Sequence, residues 1–498
     1  MQANRWWVLV TVATGLMLIT LDNSILYTAL PTLTADLGAS QSELLWIINT
    51  YPLVMAGMLL GAGTLGDRFG HRRIFMIGLV VFTAASGIAA FAPVPLVLIG
   101  ARAVLGVGAA LMMPATLALI RVSFEDERER GLAFAIWGML AVVGAALGPI
   151  LGGLLLEYFW WGAVFLINIP VGAAAFVATL IVAPKGQPDA SKRWDFISSF
   201  QAMVVLGALV IAIKEAAYAS SFERPALALA IALIGGVIFV RRQARMTYPL
   251  LDFALFRNPA FMSGVLAAAF ALFTISGVQL VTTQRFQLVG GYSPIEAGYL
   301  VSIVAVSTLP TSLIGGAFQH ILGLRLLIAG GLALSSAAAF LIAVTFGQGM
   351  VWMVSGLVLL GLGLGAVFSV ASMAIVGNAP EHRAGMAGAV EEVSYELGGL
   401  LAVALLGSLI SGLYSLGLQL PAGAPEGARD SVAAALALAD SMGPQGAALQ
   451  AAAAEAFDRA YVAVLYVIAG VIGAGALLAS RLLRDYGFHT RAVLHAGH

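Results

Sequence analysis

The chain contains no cysteine and few charged residues. Of its 498 residues, 10% are Asp, Glu, Lys or Arg, and the formal net charge is zero. Without cysteine, disulfides, thiolate metal sites and cysteine nucleophiles are excluded. None of the three lysines stands in a Gly-rich phosphate loop, and the six histidines are scattered rather than clustered like metal ligands. We therefore expect no metal, no cofactor, no nucleic-acid partner and no enzyme activity.

Long apolar runs dominate the rest of the chain. Hydrophobic residues make up 60% of it, and the mean hydropathy of +0.97 lies far above that of soluble proteins. About fourteen runs recur from Arg5 to Arg481, each of roughly 20 residues and long enough to cross ~30 Å of hydrocarbon as a helix. The first run contains Asp22, and no cleavable signal peptide is evident. The composition predicts an all-α, multi-pass membrane protein.

Basic residues fall at every second break between these runs. The basic breaks carry Arg68/Arg72/Arg73, Arg121/Arg128/Arg130, Lys185/Lys192/Arg193, Arg241/Arg242/Arg245/Arg257, Arg325 and Arg383. Because Lys and Arg in short loops stay on the cytoplasmic side, both termini are predicted to be cytoplasmic. The longest polar segment, 413–458, then faces outward, and its alanines and three prolines indicate a short helical hairpin.

The sequence repeats itself at an offset of 253 residues. Gly38-Ala-Ser-Gln-Ser-Glu43 aligns without gaps with Gly291-Tyr-Ser-Pro-Ile-Glu296, and the repeat continues through Gly63, Gly70 and Arg72, which align with Gly316, Gly323 and Arg325. Ser-x-x-Glu is a capping box, so each copy opens a helix whose far end carries a Gly-rich basic turn. We divide the chain into two six-helix halves, 1–184 and 259–498, and a linker, 185–258, with two additional helices at about residues 196 to 242.

Several stretches resemble motifs of the major facilitator superfamily. Gly63-Thr-Leu-Gly66-Asp67-Arg68-Phe-Gly70-His71-Arg72-Arg73 resembles its signature loop. Three further stretches resemble motifs of its drug exporters with fourteen spans. The first-helix motif is similar to Leu21-Asp-Asn-Ser-Ile25 through Ala29-Leu-Pro31, the fourth-helix motif to Arg102–Gly108, and the fifth-helix motif to Gly144–Gly153. Together with Gly388–Gly399, the resemblance covers essentially the whole chain and is strongest to exporters of quaternary ammonium compounds and cationic dyes. It implies drug:proton antiport, fourteen transmembrane helices and a location in the bacterial inner membrane.

The signature loop is a candidate for controlling conformational change. Its glycines permit a tight reversal, and Asp67 is able to pair with a basic group across the two halves. The candidate gating residues are Gly63, Gly66, Asp67, Arg68, Gly70, Arg72 and Arg73. The alternative is a simple positive-inside anchor. The second copy, with His320 in place of Asp67, is expected to act more weakly.

A stripe of small residues is the second gating candidate. Gly144, Gly148, Gly152 and Gly153 repeat at about helical spacing beside Pro149. Such a stripe lets another helix approach closely, and the proline removes one backbone hydrogen bond, so a bend is expected. The spacing is also typical of ordinary helix packing. The resemblance to antiporters favours the conformational role.

Two charged residues lie inside apolar runs of the N-terminal half. Asp22 is near the middle of the first run, where hydrocarbon favours the protonated carboxyl, so it is a candidate proton and cation site. Arg102 lies a few residues inside the fourth run and needs a partner, for which we expect Asp22 or a polar group of the first helix. The alternatives are a structural aspartate, and an arginine that extends to the membrane interface.

Three carboxylates occur within six positions of the stretch Gly388–Gly399. Glu392 and Glu396 are four residues apart and share a helix face, whereas Glu391 points about 100° away from Glu392. Carboxylates on one face repel when ionised, so their protonation is coupled and a cation is able to compete with protons for them. We therefore prefer Glu392 and Glu396 as proton-coupling residues, ahead of Glu391. The alternative places all three in a loop or at a cytoplasmic helix end.

A cavity for lipophilic cations needs aromatic and polar side chains. The candidates, each of which also suits ordinary packing, are Trp46, Asn49, Tyr51, Trp137, Phe270, Phe273, Thr308 and Tyr395. Asn49 stands where some of the resembling exporters have an aspartate, and no carboxylate occurs in the run around Thr308. Because export of a dication against a membrane potential requires additional protons, we expect monovalent cations to be preferred.

These features predict a proton-coupled multidrug efflux antiporter that exports lipophilic, mainly monovalent cations such as quaternary ammonium compounds and dyes. Its partners are then these cations, protons and the lipid bilayer, and we expect a monomer. One alternative is a proton-coupled exporter of a metabolite or an amino acid on the same scaffold. Another is a membrane sensor that no longer transports.

Overall fold

The computed structural model describes residues 4–124, 126–185, 195–218, 223–246, 249–379 and 384–487. These residues are mostly helical, and no strand occurs among them. The fold is therefore all-α, as the composition predicts. Lys192, Arg193 and Arg383, which belong to the predicted basic breaks, lie outside the described residues.

The described residues form sixteen α-helices. The first group is α1 (Asn4–Leu37), α2 (Gln41–Phe69), α3 (His71–Ala90), α4 (Pro95–Ser123), α5 (Glu127–Tyr158), α6 (Ala163–Leu166) and α7 (Asn168–Val182). Two helices follow, α8 (Phe196–Tyr218) and α9 (Glu223–Arg245). The last group is α10 (Pro259–Gln284), α11 (Pro294–Arg325), α12 (Gly331–Val344), α13 (Met350–Ile375), α14 (Ala384–Gly417), α15 (Val432–Ser441) and α16 (Ala447–Leu482). Segments of π-helix, Arg285–Val289 and Leu326–Gly330, follow α10 and α11.

The two predicted capping boxes both form. The hydroxyl oxygens of Ser40 and Ser293 accept hydrogen bonds from the backbone N–H groups of Glu43 and Glu296. Each glutamate in turn accepts a hydrogen bond from the backbone N–H of its serine, at 2.9 and 2.8 Å. The reciprocal bonds satisfy donors that a helix start otherwise leaves unpaired, so α2 and α11 begin in the same way.

The turns at the far ends of α2 and α11 also match. Gly70 and Gly323, which the repeat aligns, have φ angles of 93° and 76°, a region that favours glycine. Both are followed by another helical segment. We call the side near Ser40 and Ser293 the capping-box end, and the side near Gly70 and Gly323 the arginine end.

Each half of the chain has its own hydrophobic core. One cluster of buried side chains runs from Val8 to Ala175 and also includes Leu280 and Val403 of the second half. The other runs from Ala260 to Tyr486. These separate cores support our proposed boundaries of 1–184, 185–258 and 259–498.

The two additional helices pack on each other, and α8 lies beside the seam between the halves. Val210 of α8 packs with Leu400 and Ala404 of α14, and Trp46 and Leu53 of α2 pack against this cluster. The helices end at Tyr218 and Arg245, close to the predicted range of 196 to 242. Helix α8 therefore contacts both halves at once.

Eleven stretches of the described residues are long and apolar enough to cross a membrane. One of them, Pro294–Val344, contains both α11 and α12. The backbone of this stretch is not helical at Gly323, which marks the turn between its two spans. Helices α2 and α5 are long but fall outside these eleven stretches. The protein is therefore a multi-pass membrane protein, and fourteen spans remain our expectation.

The polar segment between α14 and α16 is shorter than the predicted 413–458. Helix α14 continues to Gly417, and α16 begins at Ala447, where a run of alanines favours helix. Between them, α15 packs on α16, and Tyr414 donates a hydrogen bond of 3.0 Å to the carbonyl of Ala428. The segment therefore belongs to the core of the C-terminal half.

Candidate functional site

A buried ion pair joins α1 and α4. Nη1 of Arg102 lies 2.6 Å from Oδ2 of Asp22, and neither side chain has any exposed surface. Nε of Arg102 donates a further bond of 3.1 Å to the carbonyl of Ile47 on α2. The partner that the sequence analysis expects for Arg102 is therefore present. The two opposite charges compensate each other at a depth where an unpaired charge is costly.

Neutral polar groups complete the surroundings of this pair. Nδ2 of Asn168 on α7 donates to Oδ1 of Asp22 at 2.7 Å, and it also lies 3.1 Å from the hydroxyl of Ser86. The guanidinium of Arg102 stacks over the ring of Tyr51, 4.4 Å from its centre. The sequence analysis missed Asn168 and Ser86, although an asparagine inside the apolar run before Pro170 is a recognisable signal.

The three predicted carboxylates lie in the first half of α14. All three are half-buried rather than exposed. The charges of Glu391 and Glu396 both act on Glu392, while Glu391 has the hydroxyl of Ser372 on α13 as a hydrogen-bond partner. Glu391 therefore points toward a neighbouring helix, and Glu392 and Glu396 remain together on one face.

The ion pair and the carboxylates belong to one electrostatic site. Arg102 of the N-terminal half acts on Glu396 of the C-terminal half, and the charges of Asp22 and Glu396 both act on Tyr51. We call Asp22, Arg102, Glu392 and Glu396 the charged cluster. Arg102, the one buried arginine of the described residues, thus acts on Glu396 of the C-terminal half, and Glu392 lies one helical turn from Glu396.

Several buried polar atoms of α2 and α4 have no hydrogen-bond partner among the described residues. Both amide atoms of Asn49, the hydroxyl of Tyr51 and Nη2 of Arg102 are buried and make no hydrogen bond to the described protein. A buried polar group without a partner is costly, on the order of 1–3 kcal/mol each. Such atoms are typical of a site that binds water or a ligand. The place of Asn49 and Tyr51 in a substrate cavity remains a prediction.

The other predicted cavity residues separate into two groups. Trp137 donates to the hydroxyl of Thr116 at 3.0 Å, and Tyr395 contacts the ring of Phe368, so both lie among polar or aromatic groups of the bundle interior. The remaining residues make packing contacts: Trp46 with the α8 cluster, Phe270 with Gly475 of α16, Phe273 in the C-terminal core and Thr308 with Gly365 of α13. A place for these four in the substrate cavity remains a prediction.

The glycine stripe of α5 is packed between two helices. A Cβ atom added at Gly148 would lie 2.6 Å from Ser24, and one added at Gly152 would lie 2.8 Å from Ile25, both on α1. One added at Gly144 would overlap Thr20 of the same helix. On the other side, a Cβ atom at Gly153 would overlap the backbone of Ile295 on α11. The stripe therefore serves packing within the N-terminal half and contact with the C-terminal half.

Pro149 takes part in the same contact between the halves. Its carbonyl faces Gly298 of α11 so closely that any added Cβ would overlap it. Three hydrogen bonds across the halves were not foreseen from the sequence: Gln279 to Ser24 at 3.1 Å, Gln287 to Thr28 at 3.0 Å, and Ser302 to Ala146 at 2.9 Å. These contacts lie between the level of Asp22 and the capping-box end. The halves are therefore in close contact at that end.

The signature turn lies at the arginine end. Gly66 leaves space for the imidazole of His71, Gly63 lies near Pro114, and Arg68 contacts the ring of Phe69. Nη2 of Arg72 donates to the carbonyl of Leu180 on α7 at 2.7 Å, so this arginine binds within its own half.

The signature turn also contains Arg73 and Asp67. Arg73 is exposed. The side chain of Asp67 lies outside the described residues. A role for this turn in gating remains a proposal.

Residues 12–403 match the family model described as Major Facilitator Superfamily. The chain belongs to the major facilitator superfamily. Among curated members of the superfamily, the methyl viologen resistance protein SmvA of Salmonella typhimurium is 38% identical over 463 residues, which cover 91% of this chain and 93% of the relative. The multidrug efflux pump LfrA of Mycolicibacterium smegmatis is 36% identical over 484 residues, covering 94% and 95%.

Solved structures of transporters share the superfamily fold. A bacterial homologue of the human lysosomal transporter Spinster, in an inward-facing and unoccupied conformation, has a TM-score of 0.68 and 18% identity, with 98% of this chain and 99% of that chain covered. The peptide transporter POT in complex with sulfate has a TM-score of 0.66 and 16% identity, covering 97% and 95%. At this identity the likeness establishes the fold of this superfamily member.

Proposed function

We propose that the protein is a proton-coupled antiporter that exports lipophilic cations, and that it is not an enzyme. The observation that carries the proposal is the charged cluster, in which Arg102 of one half, itself paired with Asp22, acts on Glu396 of the other half, and Glu392 lies one helical turn from Glu396. Relatives named for multidrug efflux and methyl viologen resistance support the substrate class. We place the protein in a bacterial inner membrane as a monomer with both termini cytoplasmic, in line with the positions of the arginines.

Competition for two carboxylates couples the two transported species. Glu392 and Glu396 are half-buried, so each is more easily held neutral than ionised unless a positive charge is near. A proton or a lipophilic cation supplies that charge. Since both use the same oxygens, binding of the cation releases protons and binding of protons releases the cation.

Arg102 is the fixed positive charge of this mechanism. It is held by Asp22, by the carbonyl of Ile47 and by the ring of Tyr51, so it remains in place when Glu396 changes its protonation. When Glu396 is ionised, Arg102 attracts it and draws the C-terminal half toward the N-terminal half. When Glu396 carries a proton, this attraction is lost. Protonation is thereby linked to the relative position of the halves.

Alternating access then requires the contact at the capping-box end to open. Gly153 and Pro149 meet Ile295 and Gly298 there without intervening side chains. Flat, side-chain-free surfaces are able to separate and meet again without interlocking groups that must repack. We propose that this contact closes the outer side of the protein while the arginine end gives access from the cytoplasm.

Monovalent cations are the proposed preferred substrates. Asn49 is fully buried and offers no additional negative charge to a dication. Methyl viologen, which is named in the relative from Salmonella typhimurium, is a dication and therefore the sharpest comparison substrate. The preference depends on how many protons enter for each cation that is exported. Export of a dication against the membrane potential needs an additional proton, which contributes ~2.3 kcal/mol per 100 mV.

Proton movement in liposomes tests the proposed function. Addition of tetraphenylphosphonium or ethidium to liposomes that contain the purified protein and a pH gradient should dissipate the gradient. Glu392→Gln should abolish this response, while Glu223→Gln, an exposed change at the start of α9, should leave it intact. A response that persists unchanged in Glu392→Gln, with normal folding, would remove the coupling role.

A further inference from the structure

An open groove lies on the surface of the C-terminal half, between α12 and α16. Its volume is about 1270 Å³. One wall carries Gly330, Ala333 and Ala337, and the other carries Gly470 and Gly473. Because these residues have almost no side chain, the two helices leave a long channel between them where larger residues would fill the space.

The two ends of the groove differ in chemistry. At the arginine end, Nε and Nη2 of the exposed Arg325 donate to the hydroxyl of Ser480 at 3.3 and 3.1 Å. At the opposite end, the rings of Phe340 and Tyr466 meet edge to face with centres 5.6 Å apart. The groove is therefore basic and polar at one end and aromatic at the other.

The length of the groove corresponds to one leaflet of a bilayer. From Gly330 to Phe340 α12 rises by about 15 Å, at ~1.5 Å per residue. One leaflet contributes roughly half of the ~30 Å of hydrocarbon. With the aromatic end near the middle of the bilayer, Arg325 lies at the level of the lipid headgroups. Arg481 and Arg484 are exposed at the same end and add positive charge.

We propose that this groove binds an anionic phospholipid from the leaflet at the arginine end. One acyl chain lies along the glycine and alanine walls, and the headgroup phosphate binds Arg325. A basic pocket between transmembrane helices at this level is the kind of site that recognises anionic headgroups. The positive charge of Arg325 disfavours a lipophilic cation in the same place. The groove is thus separate from the charged cluster and from the exported substrates.

Native mass spectrometry of the full chain tests the proposal. Protein is released from vesicles of equimolar dioleoyl phosphatidylglycerol and dioleoyl phosphatidylcholine, and the retained lipids are identified. The wild type should retain phosphatidylglycerol in preference to phosphatidylcholine. Arg325→Gln should lower this retention about fivefold, the effect of one basic group near an anionic lipid, and Arg325→Lys should preserve it.

A second variant tests the acyl-chain part of the site. Ala337→Phe places a ring in the groove from an exposed position, so it should reduce retention of both lipids without disturbing the core. Matched controls are Arg241→Gln on α9 and Ala174→Phe on α7, which are exposed outside the groove. Melting temperature and ethidium transport of each variant establish that it is folded.

Three results would overturn the proposal. The first is unchanged phosphatidylglycerol retention in both Arg325→Gln and Ala337→Phe. The second is an equal loss of retention in the two control variants, which would indicate general lipid adhesion. The third is a mass of two chains without lipid that is lost in Ala337→Phe, because it would show that a second copy occupies the groove.

Discussion

Asp22 and Arg102 form an ion pair of 2.6 Å in which neither side chain is exposed. The pair links the middle of the first helix to the fourth, and Arg102 also acts on the carboxylate of Glu396 on α14. Charges at this depth are tolerated only when each has its partner. The pair therefore has two consequences, one for stability and one for coupling.

Removal of one partner should be more harmful than removal of both. Arg102→Ala leaves Asp22 without compensation and should destabilise the protein by about 3–5 kcal/mol, which is typical of breaking a buried pair. The double variant Asp22→Asn/Arg102→Gln should recover part of this loss. Melting temperatures in one detergent provide the measurement. Equal stability of Arg102→Ala and the wild type would contradict the account.

The contact between α5 and α11 should be sensitive to a single methyl group. Gly153→Ala places a Cβ against the backbone of Ile295 and should shift the protein toward a form that is open at the capping-box end. Gly100→Ala, whose added Cβ meets no atom within 4 Å, is the control and should be neutral or slightly stabilising. Because the chain has no cysteine, one cysteine introduced near Asp22 reports access from outside by its labelling rate. Identical labelling rates in the two variants would rule out this gate.

The junction between α8 and α9 should weaken in acid. Asp195 precedes α8 and accepts a bond of 2.9 Å from Nη2 of Arg242, as well as bonds from Ser198. Partial burial acts to raise the pKa of Asp195, but the hydrogen bonds from Arg242 and Ser198 outweigh it and hold the pKa below its usual range. A lowered pKa means that the stabilisation is complete above the unfolded pKa of about 3.9 and is lost as the pH falls through the folded value.

The sign of this effect is measurable. The wild type should melt at a higher temperature than Asp195→Asn at about pH 6, and the difference should narrow below about pH 4. Asp485→Asn, which changes a carboxylate that is 77% exposed, should show no such trend. If the melting temperatures of the wild type and Asp195→Asn differed by the same amount at both pH values, ionisation of Asp195 would contribute nothing to stability.

Substrate charge should depend on position 49. We expect cells that express the wild type to tolerate ethidium better than methyl viologen at equal external concentrations. Asn49→Asp adds a buried carboxylate to α2 and should shift this ratio toward methyl viologen, whereas Asn49→Leu should not. Equal protection by the wild type against both compounds would show that this position does not limit the charge of the substrate.

Local patterns explain what was predictable about the fold. A capping box is a four-residue signal, and both Ser40 and Ser293 form one. The arginine inside an apolar run demands a partner, and Arg102 has one in Asp22. The glycine spacing of α5 indicates a close helix contact, but it does not say which helix is the neighbour. The structure shows α1 on one side and α11 on the other.

Long-range neighbours account for what the sequence did not reveal. Asn168 contacts Asp22 across 146 positions of the chain, and a neutral amide in an apolar run carries no information about its partner. Phe270 and Phe273 suit a cavity wall and a hydrophobic core equally well by residue type. Only the position of α16 shows that Phe270 packs against Gly475. The face that a membrane helix turns to its neighbours is therefore decided by the assembled bundle.

Titration of cation binding against pH tests the central claim most directly. We expect the affinity of the purified protein for tetraphenylphosphonium to rise about tenfold per pH unit where binding releases one proton. Glu392→Gln and Glu396→Gln should each flatten this dependence, and Glu455→Gln, at a side chain that is 71% exposed, should retain it. An affinity of the wild type that does not change with pH, or the same slope in all four proteins, would contradict competition between protons and cations for these carboxylates.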